Sequence, residues 1–359
     1  MNLQLHSRLS HLYRVGRIYR HFWRAERTIL CRAAPLHQRV ALWMSGFNSN
    51  KQHLYDFGSH ARQEYWRDID VYRIQSFNVP HATLLRNKDI LHTLLAYHQI
   101  GPPVLGIIAD NRYYAVGDPT GRPPKDTLAQ LPSHTLLHAL SDTGCDGTLL
   151  CKTESGYNAC NVASAPSNKD GRALSGLLCR GYWQVLAHTP INPKSVQTAP
   201  SSLAICPLYM ITFQCSEVSA PFIGFAIQLI DADTPLYCCV NTESGVMSAA
   251  AEMLESPPYK RCYDVHPESG ITLAGQAIED WAGACSLALR AHTLIPSLTA
   301  ITWHLLPGSA GWQVVDASPL LPIEWAQLHG PLPHDRRMAD HLRSNSQPDS
   351  DATESGDAS

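Results

Sequence analysis

Asn87-Lys88-Asp89-Ile90-Leu91-His92-Thr93-Leu94-Leu95 runs on through Gln99-Ile100-Gly101-Pro102-Pro103 into Val104-Leu105-Gly106-Ile107-Ile108. The first part opens with a capping Asn and carries apolar residues at helical spacing, so it predicts a helix. Gly101-Pro102-Pro103 breaks that helix, and the short apolar run after it predicts a buried strand. A helix and then a strand, joined by Gly-Pro, place the chain in the α/β or α+β class. Lys88 sits against the grain of this reading. A cation in a first helical turn opposes the helix dipole, which points to a duty other than helix stability.

Outward toward the C terminus, Leu136-Leu137-His138-Ala139-Leu140 reads as a helix, followed by the strand Thr148-Leu149-Leu150-Cys151-Lys152 and a turn at Glu154-Ser155-Gly156. Strand-like runs follow at 182–186, 209–213, 222–227 and 299–303. The segment from Gln276 to Ala291 has helical spacing, and Trp312-Gln313-Val314-Val315-Asp316 forms a last alternating strand with an acid at its end. Toward the N terminus, Val71-Tyr72-Arg73-Ile74 alternates like a short strand, and 41–70 is a helical, aromatic-rich stretch. Thr-Glu-Ser-Gly occurs at 153, 242 and 353 without a fixed period, so it is a turn sequence and not a repeat.

Residues 1–40 carry Arg8, Arg14, Arg17, Arg20, Arg24, Arg27, Arg32 and Arg39 against the single acid Glu26. Leu12, Val15, Ile18, Tyr19, Phe22 and Trp23 recur every three or four residues, which predicts an amphipathic helix with a basic face. Three readings stand: a helix docked on the domain, a peripheral contact with anionic lipid or an acidic partner through residues 8–39, and an organellar transit peptide. From Asp335 onward few apolar residues remain, and the tail is expected to be disordered. The chain therefore divides into a basic helical segment (1–70), a mixed globular region (71–330) and a tail (331–359).

Length and composition bound the function. The 359 residues suit two or three domains, or one large one, at roughly 100–200 residues per domain. With 44% hydrophobic and 16% charged residues and a formal net charge of −3, no overall basic excess exists to displace counterions from a nucleic acid. No apolar run approaches the ~18 residues of a membrane span. Eleven cysteines, an odd number with no C-x-x-C pair, read as reduced thiols and lack the usual zinc signature. A cytoplasmic protein, membrane-peripheral at most, is expected. The neighbours Cys238 and Cys239 read either as a redox pair or as strand residues pointing to opposite faces.

The chemistry-bearing residues lie far apart: Asn87-Lys88, Lys152, Gln184, His266-Pro267-Glu268-Ser269-Gly270 with Gly275 and Trp281, then Trp303-His304 and Asp316. No Walker loop, dinucleotide fingerprint, nucleophile elbow or H-E-x-x-H accompanies them. Taken singly, Lys152 suits a strand end in solvent, Lys88 a solvated helix start, His266 a turn residue that hydrogen-bonds the backbone, and His304 a core or cleft histidine.

Their order over roughly residues 75 to 330 resembles the ATP-grasp superfamily, in particular the sugar-transfer associated ATP-grasp family. Asn87-Lys88 with the helix ending at Gly101-Pro102-Pro103 is similar to the family's Asn-Lys helix, which ends at Gly-Ile-Pro. Cys151-Lys152 to Gly156 resembles its lysine strand and glycine turn, and Tyr182-Trp183-Gln184-Val185-Leu186-Ala187-His188-Thr189-Pro190 its adenine-hinge strand. His266 to Gly270, through Gly275 to Trp281, resembles its His-Pro-x-(Thr/Ser)-Gly stretch. Trp303-His304 and Asp316-Ala317-Ser318 stand where the family has Trp-Asp and Glu-Gly-Asn.

This resemblance implies an α+β, ATP-grasp-like fold in which two sheets enclose a nucleotide cleft, preceded by the basic helical segment. It implies ATP and Mg²⁺ as cofactors, with Lys88 and Lys152 on phosphate, Gln184, Val185 and Leu186 at the adenine, His266 as a catalytic residue, and Asp316 with His304 at the metal. The implied reaction is ligation of a small-molecule or glycan-linked carboxylate to an amine or similar acceptor through an acyl phosphate, in polysaccharide or cell-envelope synthesis. The replaced acid positions also admit a catalytically inactive binding or scaffold protein.

Overall fold

The computed structural model describes residues 2–29, 35–79, 81–110, 112–118, 120–123, 134–139, 147–153, 156–162, 183–187, 206–215, 220–231 and 235–332. Its architecture is α+β, built on two antiparallel sheets. Helices α1 (Asn2–Thr28), α2 (Leu36–Met44), α3 (Lys51–Leu54), α4 (Asp68–Phe77), α5 (Thr83–Arg86) and α6 (Lys88–Tyr97) precede the first strand. Strands β1 (Val104–Ala109), β2 (Arg112–Ala115), β3 (His134–Ala139), β4 (Gly147–Thr153), β5 (Gly156–Val162) and β6 (Trp183–Ala187) form a six-stranded sheet in the order β2-β1-β6-β3-β4-β5.

The second sheet takes β7 (Leu208–Phe213), β8 (Phe222–Asp231), β9 (Leu236–Val240), β10 (Met247–Met253), β11 (Lys260–Tyr263), β12 (Ala300–Gly308) and β13 (Gly311–Ser318). Their order is β11-β10-β9-β8-β7-β12-β13, so β13 is an edge strand. Helix α7 (Trp281–Thr293) interrupts the strand sequence, and α8 (Ile323–Ala326) follows it.

Alternation along the strands of this sheet sends side chains to two separate cores. Tyr209, Ile211 and Phe213 of β7 enter the first, with Leu42, Phe47, Tyr65, Trp66 and Ile74 from the N-terminal helices. Leu208 and Met210 enter the second, with Leu91 and Leu95 of α6 and Ala284, Leu287 and Ala288 of α7. The neighbouring thiols obey the same rule: Cys238 is fully buried in the second core, and Cys239 packs against the first. Burial pushes both up, Cys238 to about 12 and Cys239 to about 11, so neither is a ready thiolate.

Residues 42–74 thus contribute to the first core, and residue 70 falls inside α4. Trp66 stacks on Phe213 with ring centroids 6.3 Å apart. Gln327 accepts from the Trp66 amide at 2.7 Å and donates to the Tyr55 hydroxyl at 3.0 Å. The wholly buried Asn78 donates to Ala300 O at 2.5 Å and accepts from Thr299 N at 2.8 Å, fastening the end of α4 to β12.

Two local expectations are corrected. Val71–Ile74 lies inside α4, because Asp68 and Asp70 start a helix whose inward residue is Ile74, and four alternating residues cannot exclude that period. Leu136–Ala139 belongs to β3, where β4 and β6 supply ladders on both edges. Strands β2, β5, β10 and β11 are additional to the expected ones. Of the tail expected at 331–359, Pro331 and Leu332 are described, with Leu332 buried in the first core, and 333–359 lie outside the described residues.

Candidate functional site

The Asn87 carboxamide accepts from Ile90 N at 3.3 Å, so α6 starts at Lys88 as its sequence requires. Lys88 then turns inward. Its ammonium donates to Asp316 Oδ1 at 2.7 Å and to Ala317 O at 2.9 Å, with 6% of Lys88 and 2% of Asp316 exposed. A lysine in a first turn, unfavourable for the dipole, is explained by this buried partner on the edge strand.

The β12–β13 register sets the other side of the cluster. His304 and Asp316 are direct cross-strand partners, with an irregularity just beyond them between His304 and Leu305. His304 Nδ1 lies 3.8 Å from Asp316 Oδ2, and its ring stands edge-on to Tyr209 at 4.7 Å. His92, one turn after Lys88 on α6, has Nε2 3.1 Å from Val315 O and so donates to that carbonyl. Sequence reasoning missed His92, although its i, i+4 relation to Lys88 places both on one helix face.

The approach of α6 to β13 depends on Gly101. A Cβ there would come within 2.8 Å of Leu95 Cβ and 3.0 Å of Val314 O. Val314 N donates to Ile100 O at 2.9 Å, so the chain leaves the edge of the second sheet at this point and enters β1 of the first. Asp316 lies two residues along β13 from this junction and pairs with Lys88 at the other end of α6.

The other candidates lie elsewhere in the fold. Lys152 is on β4 opposite Tyr157, and Gln184 is on β6 between Ile107 and His138; both side chains lie outside the described residues. Val185 and Leu186 are wholly buried. Because β6 is central, ladders engage 184–186 on both edges, and the backbone is released only near the Val104/Gly106 irregularity of β1.

His266 is 1% exposed and organises its own turn. Its Nδ1 accepts from Glu268 N at 3.2 Å and Ser269 N at 3.3 Å, while Gly270 N donates to its carbonyl at 3.0 Å. A proton-transfer base needs an available nitrogen facing substrate. Nδ1 is committed to the turn, so any proton transfer by His266 would fall to Nε2.

The expected metal set does not fit Mg²⁺. That ion asks for a near-octahedral shell of oxygens, usually including several waters. Here one carboxylate is held by an ammonium at 2.7 Å, and its neighbour is an imidazole, a poor donor to a hard cation. Among the described residues no group of three His, Cys, Asp or Glu side chains could hold a metal.

An open cleft of about 720 Å³ lies beside α6 and the β1–β2 hairpin, lined by Asp89, Thr93, Pro103, Tyr114, Val116 and Asp118 among others. Among the described residues that line it, Asp89 and Asp118 are the charged ones, Asp118 being paired with Arg122 at 3.0 Å, and neither Lys88 nor Asp316 takes part.

No protein-family model matches the chain, and no curated protein matches it. Among solved structures it is similar to N5-carboxyaminoimidazole ribonucleotide synthetase in its ADP complex, at 10% identity and TM-score 0.35, covering 77% of this chain and 57% of that one. It is also similar to D-alanine–D-alanine ligase from Bacillus anthracis, at 9% identity and TM-score 0.35, covering 76% and 70%. A third similarity is to a RimK domain ATP-grasp protein from Sphaerobacter thermophilus, at 10% identity and TM-score 0.33, covering 71% and 68%. The chain thus spans little more than half the length of the first of these. Likenesses at this TM-score establish neither family nor activity.

Proposed function

We propose that the chain is an ATP-dependent ligase of ATP-grasp type, joining a carboxylate to an amine or similar acceptor. The observation that supports this is convergence: Lys88 and Asp316, 228 positions apart, meet as a buried pair between α6 and β13. In this reading nucleotide lies between the sheets, Lys88 and Lys152 hold its phosphates, and the Gln184-Val185-Leu186 strand flanks the adenine. A substrate carboxylate oxygen bonds to the γ-phosphorus as the bond to ADP breaks, and the acceptor nitrogen then attacks the acyl carbon, expelling phosphate.

Lys88 must exchange Asp316 for phosphate oxygens in this scheme. Breaking a buried pair costs about 3–5 kcal/mol, so the remaining contacts must supply that energy and ATP affinity should be modest. Substrates would be small-molecule or glycan-linked carboxylates and amines, and the setting polysaccharide or cell-envelope synthesis in the cytoplasm, with peripheral membrane contact through residues 8–39.

One observation favours a second reading, a catalytically inactive binding or scaffold protein of the same fold: the acid at the expected metal position is already neutralised by Lys88. Calorimetry with ATP, with and without Mg²⁺, on the full chain and on Lys152→Ala, combined with phosphate release, separates the two. The ligase binds ATP, loses roughly tenfold in affinity or more in the variant, and releases phosphate when carboxylate and amine are supplied. Binding without phosphate release supports the second reading. No heat at millimolar ATP from a folded sample removes the ligase.

A further inference from the structure

An exposed apolar surface lies away from the site. Along α1, Ile18, Phe22 and Glu26 face inward, and α1 packs on α4: Arg17 Nη2 donates to Ser76 O at 3.4 Å and Arg14 lies 5.8 Å over the Phe77 ring. Beside that docked face runs an exposed apolar stripe. Leu12 is 65% exposed, Tyr19 49% and Trp23 43%. At about 100° per residue they share one shoulder of the helix, and the exposed Arg20, Arg24 and Arg27 follow immediately around it.

Helix α2 continues the surface. Leu36, Val40 and Met44, spaced i, i+4, i+8, are 67%, 39% and 85% exposed, and Trp43 meets Trp23 with ring centroids 5.2 Å apart. The two stripes are therefore contiguous at a tryptophan pair. Glu26 is the sole acid among residues 1–44, and it is consumed inside. It accepts from Ser49 N at 2.9 Å, Ser49 Oγ at 2.6 Å and Arg39 at 3.2 Å. No negative charge from this segment faces outward. His21, beside the arginines, is held below the ordinary imidazole range by burial and then by Arg17, Arg24 and Arg20.

We propose that the α1–α2 face, formed by Leu12, Tyr19 and Trp23 of α1 and Leu36, Val40 and Met44 of α2, is a docking surface for an anionic lipid bilayer. The apolar stripe with its tryptophan and tyrosines would enter the headgroup boundary, and Arg20, Arg24 and Arg27 would meet lipid phosphates and carboxylates. Charge complementarity decides between occupants: a second copy would set arginines against arginines, whereas an anionic surface neutralises them. No described helix is long and apolar enough to cross a membrane, so the contact lies along the surface.

The test is sedimentation of the full chain with vesicles of phosphatidylcholine alone and of phosphatidylcholine mixed with phosphatidylserine. Wild-type protein is expected to pellet with the mixed vesicles and less so as salt rises. Each surface arginine is worth about fivefold in partition, so Arg20→Glu/Arg24→Glu/Arg27→Glu should weaken binding roughly a hundredfold or more. Leu36→Asp/Met44→Asp, at positions too exposed to disturb folding, should also abolish pelleting while leaving the thermal midpoint unchanged. Equal recovery with both vesicle types, or pelleting retained in both variants, overturns the proposal. So does a light-scattering dimer that both variants disrupt in a protein that never pellets.

Discussion

Two buried lysines serve the two faces of the seven-stranded sheet, and they are neutralised differently. Lys51, at the start of α3, lies 3.2 Å from Asp68 Oδ1 and 3.0 Å from Glu324 Oε2, with the Tyr55 ring 5.7 Å away. Lys88, at the start of α6, has one carboxylate, Asp316, and one backbone carbonyl. Burial pulls the Lys51 ammonium toward neutrality, but the two carboxylates more than reverse this and hold it well above the ordinary lysine range. Asp68 is pushed up by the same burial, with Lys51 and the Asn48 amide pulling it back. A lysine between two acids is a fastening, here of the N-terminal helices to α8. A lysine with a single acid can exchange that partner for another anion, which is why Lys88 suits a ligand site and Lys51 does not.

The comparison breaks first, and hardest, at Lys51. Lys51→Ala leaves Asp68 and Glu324 uncompensated in a buried setting and should cost about 3–5 kcal/mol, read as a fall in the urea midpoint. A smaller loss than for Lys88→Ala would invert the distinction. Lys88→Met should cost about 3 kcal/mol, most of it recovered in Lys88→Met/Asp316→Val, because an apolar pair replaces both charges. The matching pair Lys51→Met/Asp68→Val should not recover, since Glu324 still lacks its cation. ATP titration of the folded Lys88→Met/Asp316→Val protein sharpens the contrast, since the proposed ligase loses its nucleotide there.

A third buried cluster carries no charge and sets the baseline. His292 Nδ1 lies 2.6 Å from Thr212 Oγ1, its Nε2 lies 2.9 Å from Leu298 O, and Trp303 Nε1 donates to the same threonine at 2.8 Å. Nε2 therefore carries the proton, and Nδ1 accepts from the hydroxyl. Burial lowers the imidazole to about 4, against 6.5 unfolded. Between those values the unfolded chain binds the extra proton, so stability is complete above pH 6.5 and falls by about 1.4 kcal/mol per unit as pH drops toward 4. Denaturant midpoints across that window should show a slope that His292→Asn loses. The smallest effect concerns helix α6 itself: Asn87→Ala removes its cap and should cost about 1 kcal/mol in the same measurement.

Lys88 and Asp316 were legible in the sequence as chemistry-bearing residues, and the Asn87 cap, the Gly101-Pro102-Pro103 break and β1 as local structure. Their direct pairing was not legible, because it depends on the β12–β13 register and on the close approach that Gly101 permits. His266 was singled out for its neighbours Pro267 to Gly270; its burial and the amides it accepts are properties of the folded turn. Lys51, Asp68 and Glu324 gave no signal at all, since 256 positions separate the last two and no motif links them.

What the sequence determined by itself is local or pattern-borne: the α+β class, the helix from Asn87, the strands whose apolar runs are long enough to read, and the arginine excess of the N terminus. These follow from period, capping and composition, which act over a few residues. Only the tertiary structure decided which charges meet. It turned Lys88 onto Asp316, placed Leu42, Phe47, Tyr65, Trp66 and Ile74 in the first core, and left the α1–α2 stripe exposed. Burial and pairing are properties of surfaces brought together from hundreds of residues apart, and no local rule specifies them.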